Sequence, residues 1–438
     1  MFGPRQRMRL RQDFLSVSRA RNLALAALIA TVAAGCAPDR APAPHIVRVW
    51  CQQGQEAENQ AMRAMAAAFN EAHAAQNLEA QLTFFPDFQY TEKVSIAAAA
   101  RDLPDVLALD GPTVAQFVDA GLLRPIAGWF SAAELADFAP TIRAQGTIGG
   151  ELYALGAFDS AMALYYDREL LARAGVVPPA DGRGWTWAEF LAACAELKAA
   201  GLDPVALHMD ITGDEWFTYA FSPLLWSAGG HLISADGRQV EGVLNSPANA
   251  GALRRWREVF ERDFAARAPI DPDPFGHGQT ALDWSGHWMV RSHLENKGNR
   301  LGAMPLPTMG TQTVAACGSW CWGLTQDARD PDGAALWLRW VTDPVHGIQP
   351  IVAANGAVPA RASAYPLFPE YADPPFRLFR DLQETAGRAR PRTPVYPTLT
   401  QHVAAALRDV ARGADPQECL DRAAAQVQRR IDRQGETP

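Results

Sequence analysis

An α/β protein of two lobes is the fold class this sequence predicts, and three observations point to it. Residues 46–120 alternate short β-branched runs with stretches of helical periodicity. Beyond residue 150 the pattern changes to long helical stretches rich in Ala, Leu and Trp. The chain has 438 residues, 48% of them hydrophobic and 20% charged, which is enough apolar side chain for two domain-sized cores.

Residues 1–35 are expected to be an address that the mature protein loses. Arg5, Arg7, Arg9, Arg11, Arg19 and Arg21 precede an apolar stretch, Leu23 to Ala34, too short for a bilayer of roughly 30 Å. It ends in Ala33-Ala34-Gly35 directly before Cys36, which reads as a secretory signal and resembles the bacterial lipobox, with Ala33 where Leu is usual. Cys36 is therefore the expected lipidation site, placing the protein on the outer side of the cytoplasmic membrane or in the periplasm. Losing six arginines and one aspartate takes the net charge from −8 to about −13. Residues 36–45 form a Pro/Ala-rich linker.

The body then unfolds element by element. Ile46 to Trp50 reads as a strand, 57–72 as a helix with Met62, Met65, Ala66 and Phe69 on one face, and 80–85 as a strand. Strand–helix–strand implies parallel pairing with a right-handed crossover. A helix near 91–100, a strand over Val106 to Leu109 and a helix from Val114 to Ala120 continue a doubly wound lobe. Ligands of such sheets sit beyond the carboxyl ends of the strands, here Cys51 to Glu56 and Asp110-Gly111-Pro112. Further helices are expected at 187–200, 216–228, 249–265, 333–342 and 400–412.

Several functions are disfavoured. The acidic balance gives no pull on nucleic acid. Only Lys93, Lys198 and Lys297 occur and none follows glycine, so a Walker-type phosphate loop is absent; no GxGxxG follows a strand. No G-x-S-x-G elbow, H-E-x-x-H helix or S-x-x-K segment suggests an enzyme. His208-x-Asp210, Asp271-x-Asp273, His287 and His293 lack a third ligand at fixed spacing, so neither metal nor cofactor is expected. Cys51, Cys194, Cys317, Cys321 and Cys419 leave room for one disulfide whose pairing the sequence does not set.

A family resemblance emerges from Gly150-Glu-Leu-Tyr-Ala-Leu155, Leu164-Tyr165-Tyr166-Asp167, Ala174-Gly175-Val176, Pro178-Pro179 and Trp185-Thr186-Trp187-Ala188-Glu189-Phe190. In order around it stand Pro104-Asp105-Val106, Gly121-Leu122-Leu123, Gly229-Gly230, Ser285-Gly286-His287-Trp288, Pro305-Leu306-Pro307, Gly318-Ser319-Trp320 and Val358-Pro359-Ala360-Arg361. The set resembles the family 1 extracellular solute-binding proteins, the sugar-binding lipoproteins of ABC importers to which maltose-binding protein is related. Gly156 stands where the family commonly has proline and Asp167 where it has asparagine. The resemblance implies a periplasmic-binding-protein-like clamp (type II), each lobe a central sheet flanked by helices. It places one lobe at 45–158 and 303–343, the other at 159–302 and 344–430, with a tail at 431–438. It implies a monomer that closes on a small-molecule carbohydrate and delivers it to ABC permease subunits in the membrane.

Chemistry suggests the contacts. Sugars present apolar ring faces and a rim of hydroxyls, so their binders pair flat aromatics with planar polar groups. Of the thirteen tryptophans, Trp226 before Gly229-Gly230, Trp284 and Trp288 around Gly286, and Trp320 beside Gly318-Ser319 are candidate platforms, as is Trp216; Trp256, Trp337 and Trp340 read as core. The resemblance adds Gln53, Glu56, Phe158, Asp159, Ser160, Gly230 and Arg361. Asp110 suits a pair of sugar hydroxyls or, equally, a helix N-cap before Pro112. The expected ligand is a neutral di- or oligosaccharide; the alternatives are a polyol or glycerol phosphate, or a secreted carbohydrate-active hydrolase.

Overall fold

The computed structural model describes residues 44–180, 182–211 and 213–435. The expected leader, Cys36 and most of the linker fall outside the described residues. Two central sheets organise the body. The first runs, in spatial order, Leu78–Phe85, His45–Gln52, Val106–Asp110, Trp320–Leu324 and Ala154–Gly156. Val49 pairs with Val106 in parallel, as the strand–helix–strand pattern requires. The strand Trp320–Leu324 is antiparallel to both of its neighbours, so this sheet is mixed rather than wholly parallel. That strand arrives from 200 residues downstream, and no local periodicity announces its direction.

The second sheet is ordered Leu301–Met304, Met162–Asp167, Thr280–Gly286 and Asp203–Ala206. Its two inner strands are buried at every position, including the polar Asp167, Thr280, Asp283 and Ser285 among otherwise apolar residues. Two short ribbons lie where the chain passes between the sheets. Phe158–Asp159 pairs with Val358–Pro359, and Ala315–Cys317 pairs with Gly387–Ala389. The result is an α/β clamp of the type II class.

The expected helices are present at Glu56–Ala72, Asp87–Ala100, Trp187–Ala199, Asp214–Ser227, Pro247–Glu261, Pro331–Val341 and Tyr396–Ala411. The Thr-Trp-Ala-Glu stretch has a structural origin: Thr186 caps the helix Trp187–Ala199, its hydroxyl accepting from Glu189 N while Glu189 Oε2 accepts from Thr186 N at 2.7 Å. The helix Pro416–Gly435 continues into the stretch expected to be a tail. Trp256 and Trp337 are fully buried, as expected, whereas Trp340 is half-buried and stacks on His346 at 4.2 Å. The five described cysteines are all buried free thiols, so the room left for a disulfide is not used among them. Among the described residues no helix is long and apolar enough to cross a membrane.

Candidate ligand-binding cleft

A cavity of about 560 Å³ opens where the first sheet's carboxyl ends face the helix Asp214–Ser227. Asp110, the last residue of its strand, enters it from one wall; Trp216 and Tyr219 enter from the helix. Trp288 follows the strand Thr280–Gly286, and Trp320 begins the strand Trp320–Leu324. Trp288 stands edge-on to Trp216 at 6.3 Å and tilted against Tyr219 at 6.0 Å. The two walls also touch directly, Gln55 Nε2 donating to the Trp288 carbonyl at 3.3 Å.

One guanidinium ties the walls together. Arg390, just beyond the ribbon strand Gly387–Ala389, donates Nη1 and Nη2 to the two Asp110 carboxylate oxygens, each at 2.7 Å. Nη1 also donates to Glu215, whose Oε1 accepts a further bond from the Tyr396 hydroxyl at 2.6 Å. The Arg390 side chain is 3% exposed and lies 4.7 Å above the Tyr219 ring. Such a planar fork suits two carboxylates and a ring face in a way lysine would not. Burial raises the Glu215 carboxyl, against the pull of Arg390, to about 6.

Five polar atoms at the cleft have no protein partner: Gln116 Oε1, Trp216 Nε1, His287 Nδ1, Ser319 Oγ and Arg390 Nε. Each is sealed from solvent in this structure, so the packing around the cleft leaves polar groups unpaired where most buried ones are satisfied. Burial lowers His287 to about 3, so its ring is neutral near pH 7 and its Nδ1 serves as either donor or acceptor. Gly318, at φ +110°, lets the chain turn past the cavity without a Cβ.

Residues 53–347 match the sequence model described as bacterial extracellular solute-binding protein. The chain belongs to that family. Its likeness to curated proteins includes a putative binding protein of Brucella abortus, 27% identical over 39% of each chain. A probable ABC transporter-binding protein of Deinococcus radiodurans is 24% identical over 48% of this chain and 52% of that one. The match thus spans about two-fifths to one-half of those relatives' lengths. Among solved structures it is similar to the GacH receptor of Streptomyces glaucescens, with a TM-score of 0.77 and 22% identity over 89% of this chain and 99% of that one. It is also similar to the cyclic α-maltosyl-1,6-maltose binding protein of Arthrobacter globiformis, with a TM-score of 0.74 and 24% identity over 89% and 100%.

In this solute-binding protein the cavity gathers Asp110, Phe158, Ser160, Trp216, Trp288, Gly318, Ser319 and Trp320 from the residues singled out in the sequence. The others lie elsewhere, each for a definite reason. The first strand ends at Gln52 and Gln53, just past it, is exposed, while Glu56 is an exposed first-turn residue pairing with Gln60; Gln52, Gln55 and Glu58 line the cavity instead. Asp159 is fully buried and pins the crossing, accepting from Ser160 N at 2.8 Å and Gly318 N at 2.9 Å. Trp284 is core, its Nε1 donating to the Ala220 carbonyl at 3.0 Å. Trp226 is buried within its helix under the Arg388 guanidinium. Gly230 is small because the Asn249 amide lies against it. Arg361 is held at 2.7 Å by Asp137 and covers the Phe138 ring. His208 and His293, weighed as metal ligands, both grip the buried Asp283, at 2.6 and 2.8 Å.

Sequence reasoning missed Arg390, Glu215, Tyr219 and Tyr396. The one local signal is the run Arg388-Ala-Arg390-Pro-Arg392, where a proline-punctuated loop concentrates arginine.

Proposed function

We propose that this solute-binding protein captures a neutral di- or oligosaccharide, a glucoside, and hands it to the membrane permease of an ABC importer. The observation that carries this reading is the cleft's pairing of Trp216, Trp288 and Trp320 with the polar side chains of Gln52, Gln55, Glu58, Asp110 and Thr113. Ring faces take the aromatics and hydroxyls take the polar side chains. Glu58, Asp110 and Glu215 outnumber Arg390 around the cavity, a balance that repels phosphate and suits a neutral ligand. Similar folds are described in complex with acarbose and as a cyclic maltosyl-maltose binding protein. The clamp would work by hinge closure between 45–158 with 303–343 and 159–302 with 344–430, sugar favouring the closed form through contacts on both walls. ATP hydrolysis would fall to separate subunits.

The test is calorimetry and thermal shift against a sugar panel with glycerol 3-phosphate alongside. Micromolar or tighter binding, about −8 kcal/mol, of a neutral sugar without release of reducing ends is the expected result. Turnover would establish a hydrolase, and preference for glycerol 3-phosphate would overturn the ligand class. The lipid anchor on Cys36 belongs to the same reading. Cys36→Ser should abolish detergent partitioning of the mature protein, and unchanged partitioning would remove the anchor.

A further inference from the structure

A smaller chamber of about 90 Å³ adjoins the cleft. Five residues, Gln52, Gly54, Glu58, Phe158 and Trp320, line both spaces and form its mouth. Behind them the character changes. The inner wall is Cys51, Met62, Phe84, Ala108, Trp322 and Ile351, with Ala157 at one side. Cys51, Met62, Ala108, Ala157, Trp322 and Ile351 are all buried in one hydrophobic core, the one around the first sheet. Of the polar side chains lining the chamber, Glu58 accepts from Gln55 N at 3.0 Å and from Asn355 Nδ2 at 2.9 Å, and Asn59 is bonded both ways to Gly54, which leaves the Gln52 amide at the mouth, facing the cleft side.

The cleft and the chamber therefore ask for different chemistry. A hydroxylated ring pushed into the chamber would give up water for a wall of hydrocarbon and sulfur. An alkyl group would exchange water for close contact with that wall, a favourable transfer. A dry protein cavity of roughly 150 Å³ takes benzene, so this space suits a branch of about three or four carbons.

We infer that the chamber is a subsite for a small apolar substituent on the sugar, and that the preferred ligand is an alkyl-type glycoside rather than a bare saccharide. The inference rests on the carbohydrate reading of the main cleft. It makes the substituent a determinant of selectivity: a glycoside whose apolar group reaches the mouth between Phe158 and Trp320 gains affinity there, and a fully hydroxylated analogue does not.

Calorimetry with maltose and with methyl, n-propyl and n-hexyl maltosides separates the possibilities. Each buried methylene is worth about fourfold in affinity, so n-propyl, with two more than methyl, should bind about fifteenfold tighter, with no further gain at n-hexyl once the chamber is full. Filling the chamber from within, by Ala157→Val or separately by Cys51→Met, should erase the propyl advantage while maltose binding stays as it was. Two variants are used so that one misfolded protein, seen by its melting curve, leaves the other to decide. A flat series in a protein that binds maltose overturns the subsite alone, as does a propyl advantage that survives both fillings. Absence of binding by any member of the series and by the sugar panel overturns the carbohydrate reading together with the subsite.

Discussion

Arg390→Met should reduce the unfolding free energy of this protein by about 3–5 kcal/mol, because removing one partner of a buried ionic cluster strands the others. The arginine is the only cation bonded to Asp110 and Glu215 among the described residues, and its side chain is almost fully buried. Urea unfolding at two pH values checks both the size and the cause. Glu215 already sits at about 6, above the ordinary carboxylate range, through burial opposed by Arg390. A raised folded value means that the folded state holds a proton the unfolded chain has released between roughly pH 4.5 and 6. Stability from this group is therefore present at low pH and falls as pH rises through 6. Losing Arg390 removes the opposing pull and drives Glu215 further up, so the deficit of the variant should be largest at pH 7.5 and shrink at pH 5. A deficit that is the same at both values, or below 1 kcal/mol, would show that the ionic cluster is not what the arginine supports.

Trp288→Ala should weaken binding of the best sugar by about 1–3 kcal/mol, or 5- to 150-fold, while leaving the fold in place. The side chain is half-buried and its neighbours Trp216, Tyr219 and His287 form a continuous aromatic bank on one side of the cavity. It packs only partly against the core, so its removal costs some packing and takes away a flat face beside the Gln55 contact between the walls. Calorimetry on the variant, alongside Trp320→Ala, measures the loss. Unchanged affinity in both would remove the aromatic-platform account of recognition.

What the sequence disclosed divides along physical lines. The strand–helix–strand unit of the first lobe and the long helices of the second were legible because their signal is local: apolar spacing and a stopping glycine at 121. Asp110, Trp288 and Trp320 were legible because strand termini and nearby glycines mark the sheet edge where ligands bind. The same glycine rule misled at Trp226 and Trp284. Gly229 ends a helix at φ +87° and Gly230 makes way for Asn249, so both serve packing. Arg390 was out of reach for another reason: it meets Asp110 across 280 residues and Glu215 across 175, and no window of sequence contains that encounter.

The sealed thiols carry a practical consequence. Thiolates, not thiols, react with maleimides and oxidants, and burial pushes Cys51, Cys194, Cys317, Cys321 and Cys419 all upward from their ordinary range. The described cysteines form no disulfide, so a body without residues 1–36 is suited to production in a reducing cytoplasm. A single cysteine added at the exposed Gln53 would then be the one thiol a dye could reach, and a dye there would report any closure of the proposed clamp on its ligand.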